Sequence, residues 1–269
     1  MRESEAPSVD DGLTVRECTS LEEFDECVRM QREAFGLPDL ELSPRRHLIV
    51  SKSAGGWVLG AFDAERLVGF VLHLTAVRGR EIIGYSHMMA VALAYQNRGV
   101  GARLKWAQRS RALSEGVGFI RWTFDPMQAR NAHFNLNRLG VVVRSYAENF
   151  YGTDYHTANG AYGQQLGIDS DRLIAEWELG SARVEALARG QMPTELPRPA
   201  LEVEITSNWS ALLREDAASA RREQLRVRSE FQEALAQGLA CARFERDSSR
   251  PRYLFYREQT MDERTDDGR

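Results

Sequence analysis

Residues 89–102 read Met-Ala-Val-Ala-Leu-Ala-Tyr-Gln-Asn-Arg-Gly-Val-Gly-Ala, a run that joins an apolar strand to a helix through a turn. Gln96 to Gly101 form the pattern Q-x-x-G-x-G within that turn. The two glycines let the backbone come close to a bound group and adopt a positive φ. The first amides of the following helix lack partners inside the helix, and its dipole adds partial positive charge there. The turn is therefore a candidate cradle for a pyrophosphate.

Other phosphate-binding patterns fit this turn less well. The turn lacks the order G-x-G-x-x-G of dinucleotide-binding proteins, and no Gly-Lys-Ser/Thr follows it as in a P-loop. A short glycine pattern is also compatible with an ordinary connection between a strand and a helix. The rest of the chain has to decide between a binding loop and a plain connection.

Length and composition restrict the kind of protein this can be. A chain of 269 residues is long enough for one large domain, or for one domain with an appendage. The formal charge of -4 gives no basic surface of the kind that binds nucleic acid. Three scattered cysteines are too few for a disulfide framework or a zinc site. Without an apolar signal core or a run of membrane-spanning length, we expect a cytoplasmic protein with no membrane partner.

Hydrophobic periodicity predicts strands interrupted by helices. A strand at 13–18 is followed by the capping box Ser20-Leu21-Glu22-Glu23, which opens a helix that stops near Gly36. The segment 38–46 is predicted as a loop or a short helix. Further strands are predicted at 57–62, 67–74, 81–91, 119–124, 141–146 and 171–179, with helices at 100–114 and 131–139. This order favours an α/β fold of partly α+β character, with a mixed sheet.

The C-terminal third is predicted to form a separate unit. Residues 189–200 hold three prolines and a glycine, which is typical of a linker. A strand at 201–205, a helix at 207–235 with a break near Asp216, and a strand pair follow. The predicted divisions are a disordered leader at 1–12, a main domain at 13–188, the linker at 189–200, an extension at 201–258 and a disordered tail at 259–269. This β-α-β-β extension either continues the sheet or forms a contact in a homodimer.

The segment 89–102 resembles the acetyl-coenzyme A loop of the Gcn5-related N-acetyltransferase (GNAT) superfamily, in which a strand with hydrophobic-x-Val precedes R/Q-x-x-G-x-G/A. The order of elements from residue 13 to about residue 180 is similar to that superfamily. The stretch Asn131 to Gly140 resembles a later GNAT motif, although Leu136 stands where a tyrosine is frequent. Asn131 also lies next to Ala132, instead of three residues before it. The resemblance, closest to a subgroup of predicted acetyltransferases, implies the GNAT acyl-CoA N-acyltransferase fold, a mixed central sheet flanked by helices.

The resemblance also implies acetyl-CoA as the cosubstrate, and no metal. The pantetheine arm of acetyl-CoA would enter a splay between the strands at 83–91 and 119–124 and pair with backbone groups of Met89 and Val91. Arg98 and Arg138 have an alternative explanation as solvated surface arginines. The residues implied to bind the cosubstrate are Met89, Ala90, Val91, Gln96, Asn97, Arg98, Gly99, Val100, Gly101, Ala102, Asn131 and Arg138.

Catalytic candidates follow from the same resemblance. Acyl transfer from a thioester needs a neutral amine, donors for the oxyanion, and a proton or hydrogen bond for the leaving thiolate. The amide of Met89 is implied as the oxyanion donor. His87 lies four positions before Val91, where related enzymes often carry a base, and alternation predicts Tyr85, His87, Met89 and Val91 on one face. Tyr151 is the candidate general acid, while a hydrogen-bonded core histidine and aromatic packing remain the alternatives for His87 and Tyr151.

Together these features imply an acyl-CoA-dependent N-acyltransferase that acetylates the amine of a small molecule or an amino acid. Three alternatives stay open. Loss of the tyrosine at position 136 is compatible with a non-catalytic acyl-CoA-binding regulator. Transfer of a different short acyl group such as succinyl is a second, and a protein-modifying acetyltransferase is a third.

Overall fold

The computed structural model describes residues 12–36, 38–153, 168–192 and 197–258. The predicted leader, apart from residue 12, and the tail lie outside these ranges, as does part of the predicted linker. Within them the strands are β1 (Leu13–Glu17), β2 (Trp57–Asp63), β3 (Arg66–Arg78), β4 (Glu81–Val91), β5 (Phe119–Phe124), β6 (Val142–Ala147), β7 (Arg172–Glu178), β8 (Leu201–Glu204), β9 (Leu239–Glu245) and β10 (Arg252–Arg257). The helices are α1 (Leu21–Phe35), α2 (Arg45–Ser53), α3 (Val100–Ser114), α4 (Ala129–His133), α5 (Ala182–Ala188), α6 (Trp209–Glu215) and α7 (Ala217–Ala236). Single 3-10 turns lie at Asp39–Glu41 and Leu93–Tyr95, and a π-helical turn at Phe134–Arg138 prolongs α4.

One sheet contains all ten of these strands, in the order β1-β2-β3-β4-β5-β7-β6-β9-β10-β8. β4 and β5 run parallel, while the remaining pairs are antiparallel. Runs of hairpin-linked strands are thus joined by one parallel crossover through α3. The mixed sheet with helices on both faces confirms the predicted fold class.

Helices divide the core into two apolar layers. α1 and α2 cover one face, where Phe24 and Leu48 pack with Phe70 and Leu72 of β3. The other face carries α3, α4, α5 and α7 over a larger layer, whose helix contributions include Leu104, Ala132, Val184 and Phe231. Each large side chain fully removed from water stabilises the fold by about 1.5–3 kcal/mol. No helix within the described ranges is long and apolar enough to span a bilayer.

Local sequence signals fix several helix ends. Ser20 accepts a hydrogen bond from the amide of Glu23, and Glu23 returns one to the Ser20 amide, which confirms the predicted capping box. Gly36 ends α1 with φ of 59°, a left-handed conformation that glycine adopts without steric cost. Asp216 accepts a hydrogen bond from the amide of Ser219, so the predicted break is the N-cap of α7.

The C-terminal extension continues the sheet of the preceding domain. β9 pairs with β6 through Val143 and Cys241, and both residues lie in the larger apolar layer. The Tyr253 hydroxyl donates to the carbonyl of Pro126 at 2.7 Å, across the junction. Of the two sequence-based alternatives, continuation of the sheet is therefore the one observed. The exact division at 188 and 201 stays a prediction.

Candidate active site

The turn between β4 and α3 has the backbone geometry expected of an anion cradle. Gly99 is the N-cap of α3 with φ of 81°, and Asn97 has φ of 62°. In the described structure no side chain caps this helix end, so the first amides of α3 remain available as donors. Gln96 donates from Nε2 to the carbonyl of Val91 at 3.2 Å, which fixes the turn against the end of β4. The structure thus brings the loop residues from 96 to 102 together at one helix terminus.

A gap opens between β4 and β5 next to this turn. The two strands pair only at Gly84 with Ile120 and at Tyr85 with Arg121. Beyond these pairs β4 continues to Val91 and β5 to Phe124, with no pairing between them. The splay predicted between these strands is therefore present, and it leads towards the glycine turn.

His87 lies in a β-bulge. Leu72 of β3 is opposite Met88, but the next residue, His73, is opposite Ser86, so His87 is the extra residue of β4. A bulge interrupts the alternation of side chains between the two faces of a strand. His87 accordingly faces α2, while Met89 and Val91 face α3, within contact distance of a Cβ placed on Gly101. The prediction that His87, Met89 and Val91 share one face is wrong for this reason.

The surroundings of His87 keep its imidazole neutral. Its Nε2 lies 3.4 Å from the Ser43 hydroxyl, and its ring centroid lies 5.7 Å from that of His47 in an edge-on arrangement. Burial first, and the neighbouring His47 second, lower the pKa of His87 below its ordinary value. A half-buried neutral imidazole at the α2 face can accept a proton at neutral pH.

Tyr151 lies close to β5 on that same side of the sheet. Its hydroxyl is 3.2 Å from the Thr123 hydroxyl of β5. Burial raises the pKa of Tyr85, so its phenol stays protonated. The Tyr151 and Thr123 hydroxyls thus lie beyond the last pair between β4 and β5. Tyr146 donates to the Asp171 carboxylate at 2.5 Å and packs against Phe231 of α7.

The helical segment after β5 holds the remaining predicted residues. Asn131 is exposed on α4, and Arg138 is exposed at the end of the π-helical turn. Leu136 is completely buried in the larger apolar layer, so this position offers no hydroxyl. Arg138 lines a cleft together with Ala102 from the first turn of α3. The cleft therefore connects the glycine turn with the second predicted motif.

A buried polar chain beneath β4 was not predicted from the sequence. Lys105 of α3 donates to the Ser86 hydroxyl at 3.0 Å and to Gln108 Oε1 at 2.9 Å, and its ammonium lies 3.5 Å from the Trp122 ring centroid. Gln108 in turn contacts His73 Nδ1 at 3.3 Å. Burial holds the pKa of Lys105 well below its ordinary value. A lysine on a helix reads as a solvated residue, so the sequence carries no signal for this arrangement.

Comparisons with known proteins agree with this geometry. Residues 21–140 match the sequence model of the family described as acetyltransferase (GNAT). No curated protein matches the sequence of the chain.

Solved structures with a similar fold are numerous. The ribosomal-protein-S18-alanine N-acetyltransferase of Escherichia coli has a TM-score of 0.50 and 14% identity, covering 63% of this chain and 96% of that one. A GNAT-family protein of Desulfovibrio desulfuricans has a TM-score of 0.51 and 14% identity, covering 62% and 99%. A GNAT family acetyltransferase from Elizabethkingia anophelis with acetyl-CoA bound has a TM-score of 0.47 and 16% identity, covering 63% and 99%. At this level of identity the first two similarities show a common fold.

Proposed function

We propose that this chain, whose residues 21–140 match the GNAT acetyltransferase family model, is an acyl-CoA-dependent N-acyltransferase. It transfers an acetyl group from acetyl-CoA to the amine of a small molecule or amino acid. The observation that carries the proposal is the adjacency of the uncapped α3 terminus and the gap between β4 and β5. One site offers donors for a pyrophosphate, and the other offers unpaired strand backbone for an extended arm.

The glycine turn would hold the pyrophosphate. Amides from Gly99 to Ala102 point out of the start of α3, and the helix dipole favours negative charge there. Arg98 extends from the same turn, with its guanidinium 4.9 Å from the Tyr95 ring centroid. An arginine held near the cradle adds charge-assisted donors to phosphate oxygens. Gln96 and Asn97 shape the turn.

The open edge of β4 would orient the acyl thioester. Backbone groups of Met89, Ala90 and Val91 lie beyond the last pair with β5 and would pair with the arm as with a neighbouring strand. The amide of Met89 would donate to the thioester carbonyl oxygen as negative charge develops there. The acceptor nitrogen attacks the carbonyl carbon, the C–N bond forms, and the C–S bond breaks. Holding both partners in this geometry supplies much of the rate.

Proton transfer would occur on the α2 face. His87, neutral and half-buried, would take the proton that the attacking amine loses, directly or through a water. The Tyr151 hydroxyl, beside Thr123, would protonate the leaving thiolate or hydrogen-bond it. Both side chains come from the side of the sheet opposite α3, so the acceptor would enter from the α2 side.

A non-catalytic acyl-CoA-binding regulator is the second candidate. The observation in its favour is Leu136, which is buried where the resemblance expects a tyrosine. Transfer of a succinyl group is the alternative for the acyl donor, and we also propose a cytoplasmic setting and a homodimer.

Substitution of Gly101 tests the cosubstrate site. A Cβ at this position would lie 3.4 Å from Met89 Cε, an ordinary contact, so Gly101→Ala should fold and bind as the parent does. Gly101→Glu places a carboxylate beside the pyrophosphate. We expect it to weaken CoA binding at least tenfold, about 1.4 kcal/mol, in titration calorimetry. Equal affinities of the Glu and Ala variants for CoA would show that the turn is not part of the CoA-binding site.

Release of free thiol separates the two candidate functions. The protein with acetyl-CoA is screened against amines and amino acids, and the thiol is followed with a colorimetric reagent. An acceptor that accelerates thiol release identifies the enzyme. Tight CoA binding without release for any amine class would favour the regulator.

A further inference from the structure

A cleft of about 550 Å³ lies between α3, the π-helical turn, α5 and the C-terminal extension. Its walls come from two parts of the chain. Ala102, Trp106 and Arg138 belong to the segment matched by the GNAT family, whereas Arg183, Arg243 and Phe244 lie beyond it. The volume is within the range that binds a ligand of nucleoside size.

Positive charge in this cleft lacks a counterion. In the described part of the chain, none of Arg138, Arg183 and Arg243 forms an ion pair, and Arg183 Nε is buried without a hydrogen-bond partner. Burial and the nearby Arg243 lower the pKa of Arg183 to about 10. The acidic residue in the lining, Glu245, already pairs with Arg252 at 2.7 Å. Uncompensated arginines at a cleft wall fit a ligand that brings its own negative charge.

A backbone contact holds the Arg183 side chain in place, and another fixes the strand that carries Arg243. Arg183 donates from Nη2 to the Leu136 carbonyl at 2.7 Å, which a π-helical turn leaves exposed. Asn137 accepts a hydrogen bond from the amide of Phe244 at 2.9 Å, so β9 is fastened to that turn beside Arg243. Site residues held by such contacts lose little freedom when a ligand binds.

The position of the cleft identifies its ligand, provided that the proposed function holds. Ala102 belongs both to the first turn of α3, the proposed pyrophosphate cradle, and to the cleft. A coenzyme A pyrophosphate at that turn is joined to an adenosine that carries a 3′-phosphate. Trp106, one helical turn along α3, offers an aromatic surface for a planar base. A planar group with a dianionic phosphate matches an aromatic and arginine-lined cleft.

We propose that this cleft binds the 3′-phosphoadenosine end of the cosubstrate, and that Arg183 and Arg243, outside the family-matched segment, bind its 3′-phosphate. The extension is thus part of the cosubstrate site and gives the protein a preference for coenzyme A over its 3′-dephospho form.

Titration calorimetry with CoA and 3′-dephospho-CoA tests this proposal on the full chain. The parent protein should bind CoA at least tenfold more tightly than 3′-dephospho-CoA, which corresponds to about 1.4 kcal/mol. Arg243→Gln should reduce that preference to threefold or less, while leaving the affinity for 3′-dephospho-CoA unchanged. Arg214→Gln removes the same charge from an exposed site on α6 that does not line the cleft, and should keep the parent's preference.

The outcomes distinguish this inference from the proposed function. If the parent protein binds the two ligands with equal affinity, the inference about the 3′-phosphate is overturned. The glycine turn then still stands as a cosubstrate site, because both ligands bind. Failure to bind either ligand contradicts the proposed function itself. If Arg243→Gln lowers the affinity for both ligands equally, Arg243 attracts them only through its positive charge. The assignment of the 3′-phosphate to this arginine is then wrong. If the variant does not fold, equal affinities of the parent protein for the two ligands still overturn the inference.

Discussion

His87 owes its position to a single extra residue in β4. The bulge turns its imidazole to the α2 face, next to Ser43 and His47, and away from the side where Met89 contacts α3. A strand with strict alternation would have placed the base candidate on the same side as the helix that holds the pyrophosphate. With the bulge, the proposed proton acceptor and the proposed phosphate cradle lie on opposite sides of the sheet.

Replacement of His87 tests its role as a base. His87→Ala should lower kcat/KM by about 10²-fold or more while CoA affinity stays unchanged. His87→Gln is the matched variant, because it can keep a hydrogen bond to Ser43 but cannot titrate. The rate of the parent should fall at acid pH, through a pKa below 6.5 that both variants lose.

The acceptor amine also titrates, so the pH profile is measured with two acceptors of different pKa. If the acid limb of the profile shifts with the pKa of the acceptor, the amine loses its proton in solution and His87 is not the base. Near-parent kcat/KM in His87→Ala would make His87 a packing residue.

The buried Lys105 should make the folding stability of the protein depend on pH. Its pKa is lowered in the folded protein, so the unfolded chain, with a pKa of about 10.4, binds more protons over the intervening range. The contribution of Lys105 to folding stability therefore rises with pH from its lowered folded-state pKa up to the unfolded value, by up to about 1.4 kcal/mol per pH unit. Lys105→Met removes this slope, whatever constant cost it adds by leaving Gln108 without its donor. Urea unfolding of both proteins at pH 7 and 9 measures it, and parallel curves would show that Lys105 is charged when folded.

The glycine turn and the bulge differ in how far the sequence reveals them. Every property of the turn is local: glycines at fixed offsets, a preceding apolar strand and a following helix. The bulge depends on the register between Leu72 and Met88, which is set by pairing over a whole hairpin. The loop residues are therefore predictable, while the side of the sheet that His87 faces is not.

Among the secondary-structure elements, the short helices α2 and α5 are the ones that the sequence does not predict. α2 occupies nine residues and α5 seven, too few turns for a periodic apolar stripe to stand out. Yet α2 brings His47 towards His87, and α5 brings Arg183 into the cleft. α3, by contrast, was predicted at 100–114 and is found at Val100–Ser114, because glycines flank it at both ends.

The π-helical turn after α4 has a structural consequence. A π turn takes one more residue than an α turn and leaves a carbonyl without its usual partner. Leu136 supplies such a carbonyl, and Arg183 binds it at 2.7 Å. The predicted helix at 131–139 was thus correct in place, although its periodicity could not indicate the change in winding. This turn also explains how an arginine can be held at half-buried depth beside Arg243.

On the scale of the whole molecule, the extension and the preceding domain share one core. Arg228 of α7 contacts Asp169 at 2.5 Å and Asp171 at 2.8 Å, and these carboxylates lie at the start of β7. Asp171 is almost completely buried, so it depends on this partner for compensation. Loss of one member of such a buried pair costs about 3–5 kcal/mol, a large share of a typical folding free energy of about 5–15 kcal/mol.

Truncation therefore should not leave an intact domain. A chain that ends at Arg189 loses Arg228, exposes the edge of β6 and opens the larger apolar layer. We expect it to be insoluble, or to melt far below the full chain. A chain that ends at Glu258 keeps every described element and is the control. A soluble 1–189 fragment that melts within a few degrees of that control and binds CoA equally would establish the extension as an independent appendage.

The order of the ten strands also bears on self-association. Outermost strands present unpaired amides and carbonyls, which are templates for edge-to-edge pairing and aggregation. The sheet here ends on β1, five residues long, and on β8, four residues long, where Glu202 and Glu204 place negative charge along the margin. Two copies joined through β8 would bring like charges together over a very short seam. The same extension that lines the cleft thus ends the sheet with a short acidic strand, which is poorly suited to pairing with a strand of another chain.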